Sequence, residues 1–243
     1  MSHNESYQIR RSTRAKRARI VVSVDKVEVV VPVRMPIAQV QQFVKSKQDW
    51  IASARAKVDD HVAKTACFAP KIYRQGAMIL FQGENYLLKV KPVNDTRCIA
   101  IEFNQVFIVS VPAVMQKKLT TSELSEQIRA ALIAWMQDMA SRQAVQYARQ
   151  YQTLYQLQAR SVRIKTQKSR WGSCGIHNDI YLNWLLILAP VAVFEYVVIH
   201  EICHLQHRNH SAEFWQLVAK HCPAYQQQRQ WLKQHGASLM LFL

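Results

Sequence analysis

Glycine is scarce in this chain, with five among 243 residues, so a mobile glycine-rich lid or a long flexible linker is not expected. Cysteine is scarce too. Cys67, Cys98, Cys174, Cys203 and Cys222 form no C-x-x-C pair, and their odd number argues against a disulfide scaffold. A reducing cytoplasm is the expected compartment. The segment from Met1 to Gln8 lacks the apolar core of a signal peptide, so export is not expected. The longest apolar stretch, Trp184 to Phe194, is interrupted by Pro190 and is too short to span a bilayer, so no membrane partner is expected. Acidic residues are few: sixteen stand against 32 Lys and Arg, for a formal charge of +16. Such a charge favours polyanions, nucleic acid first among them. It is densest at Arg10, Arg11, Arg14, Lys16, Arg17 and Arg19, and again at Arg163, Lys165, Lys168 and Arg170. No recognised nucleic-acid motif accompanies it, so the expected contact is non-specific.

What is present points to an α+β fold. Arg19 to Val24 and Val27 to Val31 read as a hairpin around Asp25-Lys26, and Pro36 opens an amphipathic helix through Phe43, Val44, Trp50 and Ile51. Strand-like runs follow at Met78 to Phe81, Tyr86 to Val90, Cys98 to Phe103 and Val106 to Val111. Turn signals at Gly83-Glu84, Asn94-Asp95 and Asn104-Gln105 separate them, which predicts antiparallel sheet. From about Ser122 to Gln158 there is no Gly or Pro, and Leu124, Ile128, Leu132, Trp135, Met136 and Met139 recur at helical intervals, which predicts one long helix, either continuous or broken once. Ser161 to Thr166 and Ile180 to Trp184 look like strands, Pro190 starts a further helix, and a last helix follows Pro223. The expected organisation is an amino-terminal antiparallel β-rich lobe with a helix, 1–119, and a carboxy-terminal lobe, 120–243, with a long backing helix and a small sheet. The two lobes are compatible with one continuous domain.

The chemistry concentrates in His200-Glu201-Ile202-Cys203-His204, followed six residues later by His210. Two histidines four apart on a helix share a face, so both imidazoles reach one ion, and Glu201 stands beside the position of a metal-activated water. The flanking sequence, Val191 to Leu205, is apolar on nearly every face, so these polar groups are costly to bury without a partner. The alternative is a pair of core histidines bonded to backbone carbonyls. On a continued helix His210 would point away, so the helix must end before it. Arg208-Asn209 is the expected break, because Asn tolerates the left-handed conformation, and Ser211 is a good N-cap for a helix from Ala212 to His221. His207 is a second candidate for the third ligand or an oxyanion-stabilising group, and Glu213 is a weaker candidate ligand. Cys174 is a further possible thiolate ligand. Three imidazoles suit Zn2+ better than calcium or magnesium.

Around this motif the runs Lys168-Ser169-Arg170-Trp171-Gly172-Ser173-Cys174, Leu182-Asn183-Trp184, Leu188-Ala189-Pro190 and Tyr196 to Glu201 resemble the YgjP-like metallopeptidase family. So do Cys203-His204-Leu205, Asn209-His210-Ser211 and Phe214-Trp215. That family is similar to the SprT-type and Wss-type zincins, several of whose relatives act on DNA-bound proteins. The resemblance implies a zincin-like carboxy-terminal lobe, zinc on His200, His204 and His210, and Glu201 as the catalytic base.

Three functions follow as expectations. The first is a zinc-dependent peptidase acting on a protein or peptide, with Glu201 moving the proton. The second is a basic nucleic-acid-associated module with a structural metal site. The third is a zinc hydrolase of a non-peptide amide or ester. His207, Arg170 and Tyr225 are the only oxyanion donors the sequence suggests. Gly172 permits close approach of another chain, so its segment is the candidate edge strand for an extended substrate.

Overall fold

The computed structural model describes residues 7–22, 26–65, 69–94, 97–240 and 242. Met1 to Ser6, Val24 and Asp25 of the expected hairpin, Asp95 of the expected turn, and Cys67 lie outside the described residues. Two compact units emerge, Met1–Lys64 and Thr65–Leu243, a division that falls before the β-rich middle segment and not at 119. The middle strands fall with the second unit because Phe81, Leu88 and Phe107 share one buried cluster with Ile128, Leu132 and Met136 of the long helix.

In the first unit, β1 (Tyr7–Ser12), β2 (Arg19–Val22) and β3 (Val27–Pro32) form a sheet of order β1-β3-β2. The expected hairpin is β2 against β3, and β1 adds a parallel partner to β3 that the sequence did not announce. Val27, Val29 and Val31 alternate onto one face and pack against Val40 and Val44 of α1 (Ile37–Lys45) and Ile51 of α2 (Gln48–Thr65). One helix was expected there. It breaks at Ser46, whose hydroxyl donates to the Phe43 carbonyl (2.8 Å), an alternative to helical bonding that serine offers readily.

The second unit opens with β4 (Met78–Phe81), β5 (Glu84–Val93), β6 (Ala100–Phe103) and β7 (Phe107–Pro112) in the order β4-β5-β7-β6. Gln82 and Gly83, with φ of 52° and 86°, make the tight β4–β5 turn, one residue earlier than the composition suggested. The antiparallel expectation is corrected here, since β5 and β7 run parallel. β7 carries the apolar set Phe107, Val109 and Val111, all fully buried, and takes the central place; the less buried β6 is left at the edge.

After α3 (Ala113–Lys118), the long helix α4 (Thr121–Tyr155) runs 35 residues without a break. A capping box starts it: the Glu123 amide donates to the Thr120 hydroxyl, and the Thr120 amide donates to the Glu123 carboxylate at 2.8 Å. Gln156 in the left-handed region ends it. Its buried stripe, Ile128, Leu132, Met136, Ala140, Ala144 and Ala148, becomes small toward the carboxy-terminal half, which allows close packing of neighbouring helices. A third sheet, of order β8-β10-β9, is made by β8 (Ser161–Lys165), β9 (Gly172–Cys174) and β10 (Asp179–Asn183). A fully buried 3₁₀ turn, Trp184–Leu188, then leads into α5 (Val191–Cys203), α6 (Ala212–His221) and α7 (Tyr225–Met240). Seven helices and three small mixed sheets among the described residues make this an α+β fold. The four described cysteines are free thiols, and no described helix is long and apolar enough to cross a membrane.

Candidate metal centre

α5 is surrounded by protein on nearly all sides: Val193, Phe194, Tyr196 to Ile199 and Glu201 to Cys203 are all buried. Such encirclement is what a helix of near-continuous apolar sequence requires. His200 and His204 lie one turn apart on it, half-buried. The helix ends at Cys203 with His204 as its C-cap, earlier than the expected break at Arg208-Asn209, and Asn209 is not in the left-handed region. The early end has a visible cause. The His204 imidazole Nδ1 meets the His207 carbonyl at 2.9 Å, closing a tight turn that a continued helix would not permit.

Beyond that turn, Arg208 donates to the Gly175 carbonyl (2.8 Å) and to the Asn178 side chain, tying the returning chain to the β9–β10 connection. His210 is thereby delivered to His200, with their Nε2 atoms 3.1 Å apart. The Ser211 hydroxyl accepts from the Phe214 amide and caps α6 where the sequence indicated. Phe214 stacks on His204 with centroids 4.4 Å apart, and Trp215 stacks on His210 at 5.6 Å, so α6 supplies an aromatic bed for the two imidazoles.

His200, His204 and His210 bring ligand nitrogens within 4.8 Å of one another. Nitrogens around a tetrahedral ion at zinc distances stand about 3.3 Å apart, so the set is close to what one ion needs. The bond from Nδ1 to the His207 carbonyl sets the His204 tautomer and leaves Nε2 as the free donor atom, the usual support of a metal-bound histidine. Burial and the neighbouring His204 and His210 rings push the His200 pKa down to about 3, which keeps the ring neutral, with one nitrogen lone pair free to ligate. The other candidates fall outside the cluster. His207 contributes its carbonyl, Glu213 is a first-turn carboxylate held by Ser211, and the Cys174 thiol contacts Arg208.

Glu201 is 4% exposed, and its Oε2 has no partner within the protein. Burial pushes its pKa up to about 8, opposed by the positive charge of Arg170. The carboxylate rests on Gly172 of the edge strand β9. A Cβ there would lie 2.5 Å from Oε1, so only glycine leaves room for this carboxylate. The close approach that Gly172 permits is made here by the chain's own Glu201.

His200, Glu201 and Gly172 open onto a cleft of about 370 Å³. Trp171, Tyr196 and Val197 form its walls, and the exposed face of α7 with Arg229, Leu232 and Lys233 forms its rim. His207, Arg170 and Tyr225, the donors suggested by sequence, do not line it. Tyr196 and Arg229 do, and the sequence assigned neither a place in a cleft: Tyr196 reads there as part of the family-like run into Glu201 and Arg229 as part of a polar helix face. Asn183 is the other residue whose role sequence did not disclose. Its side chain accepts from the Leu185 amide and donates to the carbonyls of Gln167 and Arg170, and its own amide donates to the Trp171 carbonyl. It therefore fixes the segment that carries Trp171 and Gly172 to Glu201.

The family model of the YgjP-like metallopeptidase domain matches residues 16–235. No curated protein and no solved structure matches the chain.

Proposed function

From the premise that the chain belongs to the YgjP-like metallopeptidase family, we propose that it is a zinc-dependent peptidase with His200, His204 and His210 as ligands and Glu201 as general base. The observation that carries the reading is the unpartnered, buried Glu201 carboxylate beside three converging imidazoles. Buried polar groups are ordinarily satisfied, so an open carboxylate next to a ligand set points to an external partner that completes it. A zinc ion held by His200, His204 and His210 would supply Lewis acidity and acidify the attacking water.

The residues of this chain do the rest. Glu201 receives the proton of the attacking water and returns it to the leaving amine. Gly172 holds the carboxylate in place, and β9, paired on one side with β10, offers its other edge to an extended peptide. Trp171 closes the wall behind that strand, its indole packed against Gly236 of α7.

Glu201→Gln tests the mechanism. The variant should keep its zinc, and hydrolysis should fall by about 10²- to 10⁴-fold; undiminished hydrolysis with zinc bound would remove Glu201 from the chemistry. Casein, a DNA-bound protein and small amides, each assayed with and without chelator, separate peptidase activity from nucleic-acid binding and from non-peptide amide hydrolysis.

A further inference from the structure

Among the described residues of α7, Arg229 and Lys233 stand four apart on the face that meets the cleft. Like charges at that spacing repel and weaken a helix. No described carboxylate pairs with either: the ion pairs among the described residues engage Arg10, Lys26, Arg129, Arg142 and Arg160. The Arg229 guanidinium is nevertheless held in place. It lies over the Trp215 ring at 4.7 Å, and Trp215 is itself stacked between His210 and Tyr225. A pre-positioned guanidinium is a planar, two-pronged donor suited to a carboxylate, and the ammonium beside it adds a second positive charge. The walls are apolar at Trp171 and Val197, with the Tyr196 ring beside them, and Leu232 adds apolar surface to the rim. A pocket with an apolar body and cationic rim selects a short aliphatic chain ending in an acid.

We infer that this cleft is the specificity pocket of the enzyme and takes a substrate carboxylate between Arg229 and Lys233. The inference rests on the peptidase reading of the adjoining site and names the substrate class it prefers. Two sources share this chemistry, an Asp or Glu side chain and the free carboxyl terminus of a peptide.

The test uses zinc-loaded Glu201→Gln protein, so that binding is read without turnover, and zinc-loaded wild type for cleavage. Three otherwise identical peptides are compared: one with an internal Glu and an amidated end, one with Gln in its place and an amidated end, and one with Gln and a free terminal carboxylate. One of the two acid-bearing peptides should bind about tenfold or more tightly than the neutral one, a preference narrowed by salt. Whichever acid-bearing peptide shows the preference identifies the source. In the same background, R229Q/K233Q with unchanged zinc content should abolish the preference and leave binding of the neutral peptide in place. Equal binding of all three peptides, undetectable binding included, overturns the inference, as does a preference that survives R229Q/K233Q or a uniform loss for every peptide. Failure here is distinct from failure of the peptidase reading: cleavage without charge preference removes the pocket alone, and charge-selective binding without cleavage by wild type removes the peptidase alone.

Discussion

Asn183 and Glu201 are both buried polar side chains of the larger unit, and they use their hydrogen bonds in opposite ways. Asn183 is fully buried, and both ends of its amide are engaged by backbone: 2.7 Å to the Gln167 carbonyl, 3.2 Å to that of Arg170, and 3.2 Å from the Leu185 amide. Glu201 is nearly as buried and leaves Oε2 with no protein partner. A satisfied buried amide defines geometry, because each of its bonds would be costly to lose; an unsatisfied buried carboxylate stays destabilised until something from outside completes it. The first holds the segment that carries Gly172, and the second rests its carboxylate on Gly172. Holding a segment in place and leaving an oxygen open are thus divided between two buried polar residues.

The sharpest way to break the contrast is Asn183→Ala. Three backbone groups lose a partner at about 1–3 kcal/mol each, so the loss of stability should be on the order of 3 kcal/mol or more. Thermal melting should fall by roughly 2–4 °C per kcal/mol. A variant that melts like wild type would mean that Asn183 does not anchor the Gln167 to Trp171 segment.

Glu201→Gln should act in the other direction on the metal-free protein. The unfolded chain ionises Glu201 above its ordinary pKa of 4.5, and the folded chain keeps it protonated up to about 8. The folded form therefore binds the extra proton, and the stability present below pH 4.5 is lost as pH rises toward 8. The glutamine variant lacks this slope, so a stability gap in its favour should open across that window in denaturant titrations. Parallel pH profiles would show that the carboxylate is better solvated than its burial indicates.

Gly172→Ala inserts a methyl where the Glu201 carboxylate lies, with predicted contacts of 2.5–2.8 Å to Oε1, Cγ and Cδ. Overpacking of this kind costs about 1–3 kcal/mol. Hydrolysis should fall by more than that stability loss explains, with zinc content unchanged, if the displaced Glu201 carboxylate is the base as proposed; equal activity would separate Gly172 from the site. Asp179→Asn should have the smallest effect. The Arg160 guanidinium and the Ser161 hydroxyl hold the Asp179 carboxyl down at about 2, so its contribution is present above 3.8 and is lost as pH falls toward 2. Arg160 is largely exposed and the pair is screened, so the melting difference from wild type should be modest at neutral pH and vanish in acid.

Some of this was readable from the residues and some was not. The span of α6 and its Ser211 cap were readable, since a cap and an amphipathic period are local signals. The end of α5 was not, because it depends on the His204 side chain finding the His207 carbonyl instead of on Asn209. β1 escaped notice because Gln8, Arg10 and Arg11 look like a solvated basic run, and only pairing with β3 makes the segment a strand. The parallel pairing of β5 with β7 was hidden for the same reason: alternation marks a strand but not its neighbour. Arg229 was hidden among glutamines on a polar helix until the fold set that face against the cleft.

By itself the sequence determined the paired histidine face of α5, because hydrogen bonding over four residues puts His200 and His204 on one side of any helix that forms there. It also determined that this helix must be buried, since its apolar residues leave no polar face. The tertiary structure alone decided that His210 returns to the pair, that Glu201 lies on Gly172 with an oxygen unspent, and that Arg229 and Lys233 overlook the same cleft. Those relations join residues distant in the chain, and their geometry comes from packing among several elements at once, which no local pattern encodes.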